Sequence, residues 1–498
     1  MKETQPSCYD LAVIGGGING CGIARDAAGR GARVLLLEAH DLASGTSSAS
    51  TKLIHGGLRY LEHYEFGLVR ESLSERERLW RIAPHIAWPL RFVLPHVPGL
   101  RPRWLVRLGL FLYDHIGGRK LLPATQSVKL GRHPAGKPLK PEFTSAFVYS
   151  DCWVDDARLV VLNARDAADR GAEVRTRSRV TALAREGDSW RIAVDGEVFR
   201  ARAVVNATGP AVHDLLERCH LPAHRKTRLV RGSHIVVRKL FDHAFAYFFQ
   251  LPDGRIFFAI PYEHDFTLIG TTDQDHHGGL AHVEASAEEI AYLCDGASRF
   301  FQTPVMPQDV VWTYSGVRPL IDDGSGRPEA ATRGYFLDLS DEDEGAPLLS
   351  VFGGKITTYR HLAQEAMDKL ASRMGFLDGP GWTDTVPLPG GDFAVGEVAQ
   401  QIAQLKARYP FLETPWAERL AHAYGTLAGQ LFDGARRLGD CGVHFGHGLT
   451  QREVDFLIER EWARSTEDIL WRRSKLGLRF SPAETARLAE YLDGKVAA

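Results

Sequence analysis

Three spaced glycines behind a short apolar run constrain this chain more than any other feature. Tyr9 to Glu38 reads YDLAVIGGGINGCGIARDAAGRGARVLLLE. The apolar run Leu11–Ile14 ends at once in glycine, as a buried parallel strand does. Gly15, Gly17 and Gly20 form G-x-G-x-x-G. The first allows a tight turn, the second lets backbone approach a pyrophosphate, and the third lets helix pack on strand. The pyrophosphate would sit on the helix N-terminus, where unpaired N–H groups and the dipole favour an anion. Glu38 closes a second strand, Val34–Leu37, where an acid takes a ribose hydroxyl. Strands, helix and acid together predict a dinucleotide-binding βαβ unit.

Length and charge narrow the rest. A chain of 498 residues holds two or three domains. A net charge of -2 gives no global steering toward nucleic acid, so any anion site must be local. Cys8, Cys21, Cys152, Cys219, Cys294 and Cys441 are scattered without C-x-x-C or zinc spacing, which predicts reduced thiols in a cytoplasmic setting and no metal site. The opening MKETQPSCYD lacks the apolar core of a signal peptide. No apolar run is long enough to span a bilayer, which leaves contact at the membrane surface.

The dinucleotide fold returns late. Ala203–Gly209, AVVNATG, is another short strand ending in glycine, and Ala207 and Gly209 mark a second approach of backbone to cofactor. A third strand-to-helix turn follows in LLSVFGGKITTY, with Gly353, Gly354, Lys355 and Thr357. A helix N-terminus aimed at a flavin ring stabilises the anion formed on reduction. A nicotinamide enzyme has no use for that late turn, so the dinucleotide is read as FAD. Between these pieces, residues 229–269 are rich in β-branched and aromatic residues and predict a mixed or antiparallel sheet. The Gly/Pro-rich stretch from Gly375 to Gly391 reads as a linker, and the chain beyond it as helical.

From Glu38 to Glu62 the chain reads EAHDLASGTSSASTKLIHGGLRYLE. With YSDCWVDDARLV, VNATGP, RGSHIVV, IGTTD, VWTYSGVRPL, LLSVFGGKITTYR and DILWRR, all in order along the chain, this closely resembles the FAD-dependent, quinone-linked glycerol-3-phosphate dehydrogenases. The resemblance implies α/β and α+β architecture: a discontinuous, glutathione-reductase-like (Rossmann-type) FAD domain, a mixed-sheet substrate domain and a C-terminal helical cap. The expected divisions are FAD domain at 1–85, 149–225 and 326–374, substrate domain at 86–148 (with a membrane-facing segment) and 226–325, linker at 375–391 and cap at 392–498. The resemblance also implies oxidation of sn-glycerol 3-phosphate to dihydroxyacetone phosphate by hydride transfer to FAD, with electrons passed to membrane quinone. It places the chain on the inner face of the cytoplasmic membrane, and family members often form homodimers.

The substrate so implied is a phosphate dianion carrying a secondary alcohol. Phosphate calls for fixed donors, and the planar fork of arginine matches its oxygens bidentately. Arg318 and Arg333 are assigned to the phosphate; Arg59, Tyr60 and Lys355 then position the rest of the substrate or a second anion. Loss of the hydroxyl proton suits a histidine, and His55 and His234 are the candidates. Another route is a cation cluster that lowers the alcohol's pKa and leaves the proton to a water or an arginine. His55 also fits a role in shaping the flavin pocket. Thr46, Ser47, Ser48, Lys52 and Leu53 are expected to line the pyrophosphate and ring.

GLRPRWLVRLGLFLY sets Trp104, Leu105, Leu108, Phe111 and Leu112 on one helical face, with Arg103 and Arg107 beside it. Basic residues edging an aromatic-apolar face suit an interfacial helix; packing on the core is the alternative. Three other functions share parts of this pattern: an oxidase passing electrons to dioxygen and releasing peroxide, an amine-oxidising flavoprotein, and a flavin-binding module without catalysis.

Overall fold

The computed structural model describes residues 8–97, 101–251, 254–270, 272–321, 334–340, 345–377 and 379–496. The glycine-rich segment folds as expected: strand β1 (Tyr9–Ile14), helix α1 (Ile18–Gly29) and strand β2 (Val34–Leu37). β1 is parallel to β2 on one side and to Glu197–Asn206 on the other. All of β2, and all of β1 but Asp10, is buried, which is why these runs are continuously apolar rather than alternating.

They belong to an eight-stranded sheet in the order Tyr335–Leu339, Leu348–Gly353, Glu197–Asn206, β1, β2, Glu173–Arg175. The Val180–Glu186 and Ser189–Val194 hairpin extends it antiparallel off Glu197–Asn206. The domain is therefore discontinuous: its strands come from three separate stretches of chain. Helices Asp156–Asp169 and Tyr359–Ala371 pack on α1. Their shared core includes Ile23, Leu36, Leu159, Val205 and Leu362.

A ten-stranded mixed sheet forms the second layer. Its order is Gln274–Asp275, Thr227–Arg238, Phe266–Gly270, Ile256–Tyr262, Ala246–Gln250, Ala87–Pro95, Ser145–Val154, Leu53–Ile54; Val310–Ile321 also pairs with Thr227–Arg238, and Gln126–Lys129 with Ser145–Val154. The pairing is antiparallel except between Ala246–Gln250 and Ala87–Pro95. Ser145–Val154 crosses the expected division at 148/149, and its whole length lies in this sheet. The polar Asp151 is accommodated in its buried interior by pairing with Arg76 at 2.6 Å.

The C-terminal part is helical around its own core of Leu405, Leu420, Phe432, Leu457 and Leu488. The Gly/Pro-rich segment before it is bound to the first domain. Arg25 donates to the carbonyls of Thr383 (3.3 Å) and Val386 (2.8 Å), and Leu388 N donates to Ile82 O. Trp382 lies so close to Gly29 that a Cβ there would stand 1.9 Å from its ring. What composition marks as a linker is thus a fixed strap.

The Arg103–Ile116 helix turns Trp104 and Phe111 outward, 69% and 50% exposed, while Leu110 and Tyr113 face inward. Tyr64 and Phe66 are exposed nearby, and a cavity of about 320 Å³ opens among Arg59, Leu61, Tyr64, Leu105, Leu108 and Phe248. Among the described residues, no helix is long and apolar enough to cross a membrane.

Candidate active site

The site is built where the two sheets meet, and its floor is the glycine turn. Gly15 has φ +113°, and a Cβ there would stand 2.5 Å from the Ala207 carbonyl oxygen. A Cβ on Gly20 would lie 1.9 Å from the Gly15 oxygen, so α1 seats on the turn only with glycine there. Gly17 differs: its φ is -81°, and a Cβ would meet only Ser47 Oγ at 3.1 Å. The fold itself does not require glycine at that position.

α1 begins without a side-chain cap and without an acid in its first turn, so its N-terminal field is not neutralised locally. Ile18 N donates to Ser47 Oγ at 3.0 Å. Glu38 accepts from Gly16 N (2.6 Å) and His40 N (2.7 Å), and burial pushes its pKa up. A helix end met only by the Ser47 hydroxyl, a glycine beside it and an acid at the mouth of the turn fit a pyrophosphate and a ribose. Ala207 N donates to Ile14 O at 2.9 Å, and Gly209 takes φ +60° where that strand turns away.

The late glycine turn closes against this one. Gly353 and Gly354 have φ +78° and +97°, and Asn19 in the first turn of α1 donates to Gly353 O at 3.3 Å. The helix that follows, Tyr359–Ala371, also starts without a side-chain cap or an early acid. Lys355 Nζ donates to Ser72 Oγ at 3.3 Å and stands 4.6 Å from the centre of the Tyr60 ring. Thr357 Oγ1 accepts from His55 N at 3.3 Å. Lys355, Tyr60, His55 and Thr357 are thereby linked around one turn.

The loop from Thr46 to Leu53 is held from several sides. Thr46 Oγ1 donates to Val317 O, and Tyr314 OH donates to Ser50 O at 2.8 Å. Ser50 gives its Oγ to Asp156 at 2.7 Å. Lys52, fully buried with φ +59°, points its ammonium at Asp156 (2.7 Å) and at Ser48 O (3.0 Å). Lys52 therefore braces the loop through Asp156. Leu53 is buried and enters the mixed sheet.

His234 is fully buried, its ring stacked on Tyr314 at 4.7 Å and its Nε2 3.0 Å from Thr51 Oγ1. Burial first, then Arg318 and Lys52, hold its pKa well below the ordinary histidine value. Gly270, register partner of both His234 and Phe258, leaves room for that ring: a Cβ would stand 2.1 Å from it. His55 meets the Phe258 ring edge-on at 6.3 Å. Arg318 pairs with Asp273, and Arg59 lines the apolar cavity beside the Arg103–Ile116 helix. Arg333 lies outside the described residues.

Sequence reasoning missed Asp156 and Asp273. Both stand in segments quoted above, YSDCWVDDARLV and IGTTD, and an acid opening a helix after an N-capping Asp155 is a readable signal for the first. Asp273 carries no local signal: its partner Arg318 is distant in sequence.

Comparison with known proteins agrees with this geometry. Residues 10–360 match the family described as FAD dependent oxidoreductase, and residues 382–492 match the C-terminal domain of alpha-glycerophosphate oxidase. The chain is 52% identical over 493 residues to a glycerol-3-phosphate dehydrogenase of Pseudomonas aeruginosa, covering 98% of this chain and 95% of that one. It is 50% identical over 496 residues to a D-erythritol 1-phosphate dehydrogenase of Brucella abortus, covering 98% of both. The crystal structure of a glycerol-3-phosphate dehydrogenase from Bacillus halodurans complexed with FAD superposes with TM-score 0.74 at 25% identity, covering 99% of this chain and 95% of that one.

Proposed function

The chain belongs to the FAD-dependent glycerol-3-phosphate dehydrogenases, within the FAD-dependent oxidoreductases, and on that premise we propose that it oxidises sn-glycerol 3-phosphate to dihydroxyacetone phosphate and passes the electrons to membrane quinone. The observation that carries the reading is the linkage of the two glycine turns through Asn19, with Lys355, Tyr60 and His55 gathered at the second turn. FAD, when bound, supplies the two-electron acceptor. Gly15, Gly17, Gly20, Glu38, Ala207 and Gly209 would hold its dinucleotide part. Thr46, Ser47, Ser48, Leu53, Gly353, Gly354 and Thr357 would line the rest.

The remaining work falls to this chain's side chains. Arg318 and Arg333 bind the phosphate, while Arg59, Tyr60 and Lys355 orient the polyol. Of the two histidines, His55 is assigned as the proton acceptor. It is partly exposed, whereas burial and two cations depress the basicity of His234. The bond from His234 to Thr51 suits positioning of the flavin loop.

The outward aromatic face of the Arg103–Ile116 helix and the apolar cavity behind it support a membrane-surface helix beside a site for a lipophilic acceptor. Trp104→Ser with Phe111→Ser is expected to move the protein from the membrane pellet to the soluble fraction while reduction of a water-soluble dye continues. Unchanged membrane retention would remove the basis for this assignment.

A second substrate reading draws on the Brucella abortus relative, whose identity nearly equals that of the Pseudomonas aeruginosa one: a four-carbon polyol phosphate. One experiment separates the readings. Under anaerobic conditions, glycerol 3-phosphate is expected to bleach the oxidised flavin band of the purified protein. Bleaching by D-erythritol 1-phosphate alone would move the assignment to the longer substrate. No bleaching by either would leave a flavoprotein of other specificity. Stoichiometric peroxide in air would replace quinone by dioxygen as acceptor.

A further inference from the structure

DILWRR, the last of the quoted motifs, has no role in the chemistry above. In the structure it is a single turn of π-helix, Asp468–Arg473. Such turns are rare and cluster at functional sites. Its two adjacent arginines converge on one carboxylate. Arg472 Nε donates to Asp41 Oδ2 at 2.7 Å; Arg473 donates to Asp41 Oδ2 at 2.7 Å and Oδ1 at 2.8 Å. Asp41 is 3% exposed and Arg473 is fully buried.

Asp41 is three residues past Glu38, on the loop that carries the acid of the glycine turn. That loop is gripped on its other side as well. Ser178 N donates to Glu38 O and Arg177 N to His40 O, both at 2.7 Å, and the Arg177 guanidinium reaches Asp468. The loop then returns to the turn itself, where Ala43 N donates to Gly16 O at 3.1 Å. Asp468 is fixed in turn by Arg464 N, Ser465 N and Ser465 Oγ, at 2.7 to 3.0 Å. Arg473 also donates to Glu461 O at 2.6 Å, and Glu461 pairs with Arg158 on a helix packed against α1. Of this buried network only Arg473 Nε lacks a hydrogen-bond partner among the described residues, and a network of paired buried charges tolerates little displacement, because moving one member strands the others.

We propose that the Asp468–Arg473 turn is a cofactor-retaining clamp: through Asp41 it fixes the loop behind Glu38 and so holds the adenosine end of FAD from the C-terminal domain. Arg472, Arg473 and Asp41 are positioning residues. The inference rests on the FAD site alone and is independent of the substrate.

The test is titration of FAD into apoprotein, read by flavin fluorescence, with ADP as competitor. Asp41→Asn keeps the shape of the side chain but removes the charge both arginines require. Arg473→Lys keeps the charge and loses the two-pronged grip, so it reads the same quantity should Asp41→Asn fail to fold. Arg419→Gln is the control; it breaks a buried pair with Glu453 inside the C-terminal domain, away from the loop. The two clamp variants are expected to bind FAD and ADP about tenfold more weakly or worse, a loss of about 1.4 kcal/mol. Once saturated with FAD, they should keep the visible spectrum and midpoint potential of the unaltered protein. FAD affinity within threefold in both clamp variants overturns the proposal. So does an equal loss in Arg419→Gln, or a shifted potential with ADP affinity unchanged.

Discussion

Gly17→Ala is expected to give a folded, colourless protein. The backbone at Gly17, φ -81° and ψ -177°, suits alanine, and the new methyl group would meet only Ser47 Oγ. Alanine is a poorer N-cap than glycine, a cost of about 1 kcal/mol or less. The melting temperature of the apoprotein should therefore fall by a few degrees at most. A pyrophosphate bound at this turn would have no such freedom, because a methyl group on Gly17 would stand at the N-terminus of α1, where its oxygens would be held. Losing two charge-assisted hydrogen bonds of about 1.5–3 kcal/mol each predicts FAD binding about 100-fold weaker or worse. Gly20→Ala is the informative contrast. Its Cβ would stand 1.9 Å from the Gly15 oxygen, a backbone atom that cannot step aside, so stability should drop with or without FAD. Flavin fluorescence titration and thermal melts of both apoproteins check the pair. Tight FAD binding by Gly17→Ala would mean that the phosphates do not lie on this turn.

That contrast also marks what a sequence can convey here. The glycine turns were legible because each is local: the strand, the turn and the helix that use Gly15, Gly17 and Gly20 lie within thirty residues. The discontinuous domain was legible for the same reason, each return announcing itself as a short apolar run stopped by glycine. The exposed face of the Arg103–Ile116 helix followed from its period. Elements that depend on distant partners were not legible. Lys52 stands among hydroxyls in a loop that suggests phosphate, yet its ammonium is taken by Asp156, 104 residues on. The Gly/Pro-rich strap has the composition of a linker; the pocket for Trp382 at Gly29 and the carbonyls held by Arg25 belong to another part of the chain. A motif such as DILWRR is conspicuous in sequence, but its meaning waits on Asp41, more than four hundred residues earlier.

Arg318→Ala is expected to raise KM for glycerol 3-phosphate by about 100-fold or more, with kcat changed less and FAD content unchanged. Part of that effect is the lost bond between the arginine fork and phosphate, worth about 1.5–3 kcal/mol. The rest comes from Asp273. In the intact protein its carboxylate, 12% exposed, is engaged by Arg318. Removing the guanidinium takes a positive charge away from beside that carboxylate and leaves the site less favourable to a dianion. Asp273→Asn in the Arg318→Ala background should therefore recover part of the lost affinity, although each change removes a group from the site. Such a sign of interaction is what a double-mutant cycle reads. Burial is the main cause of the low pKa of His234, and Arg318 adds to it, so removing Arg318 should raise that pKa while burial keeps it below the ordinary histidine value. Steady-state kinetics, flavin absorbance per chain and an NMR titration of His234 measure the three effects separately. A KM within threefold of the unaltered enzyme would free Arg318 from the substrate. Loss of FAD would make it a structural residue, and the affinity for phosphate would then have to come from Arg59, Arg333 or Lys355.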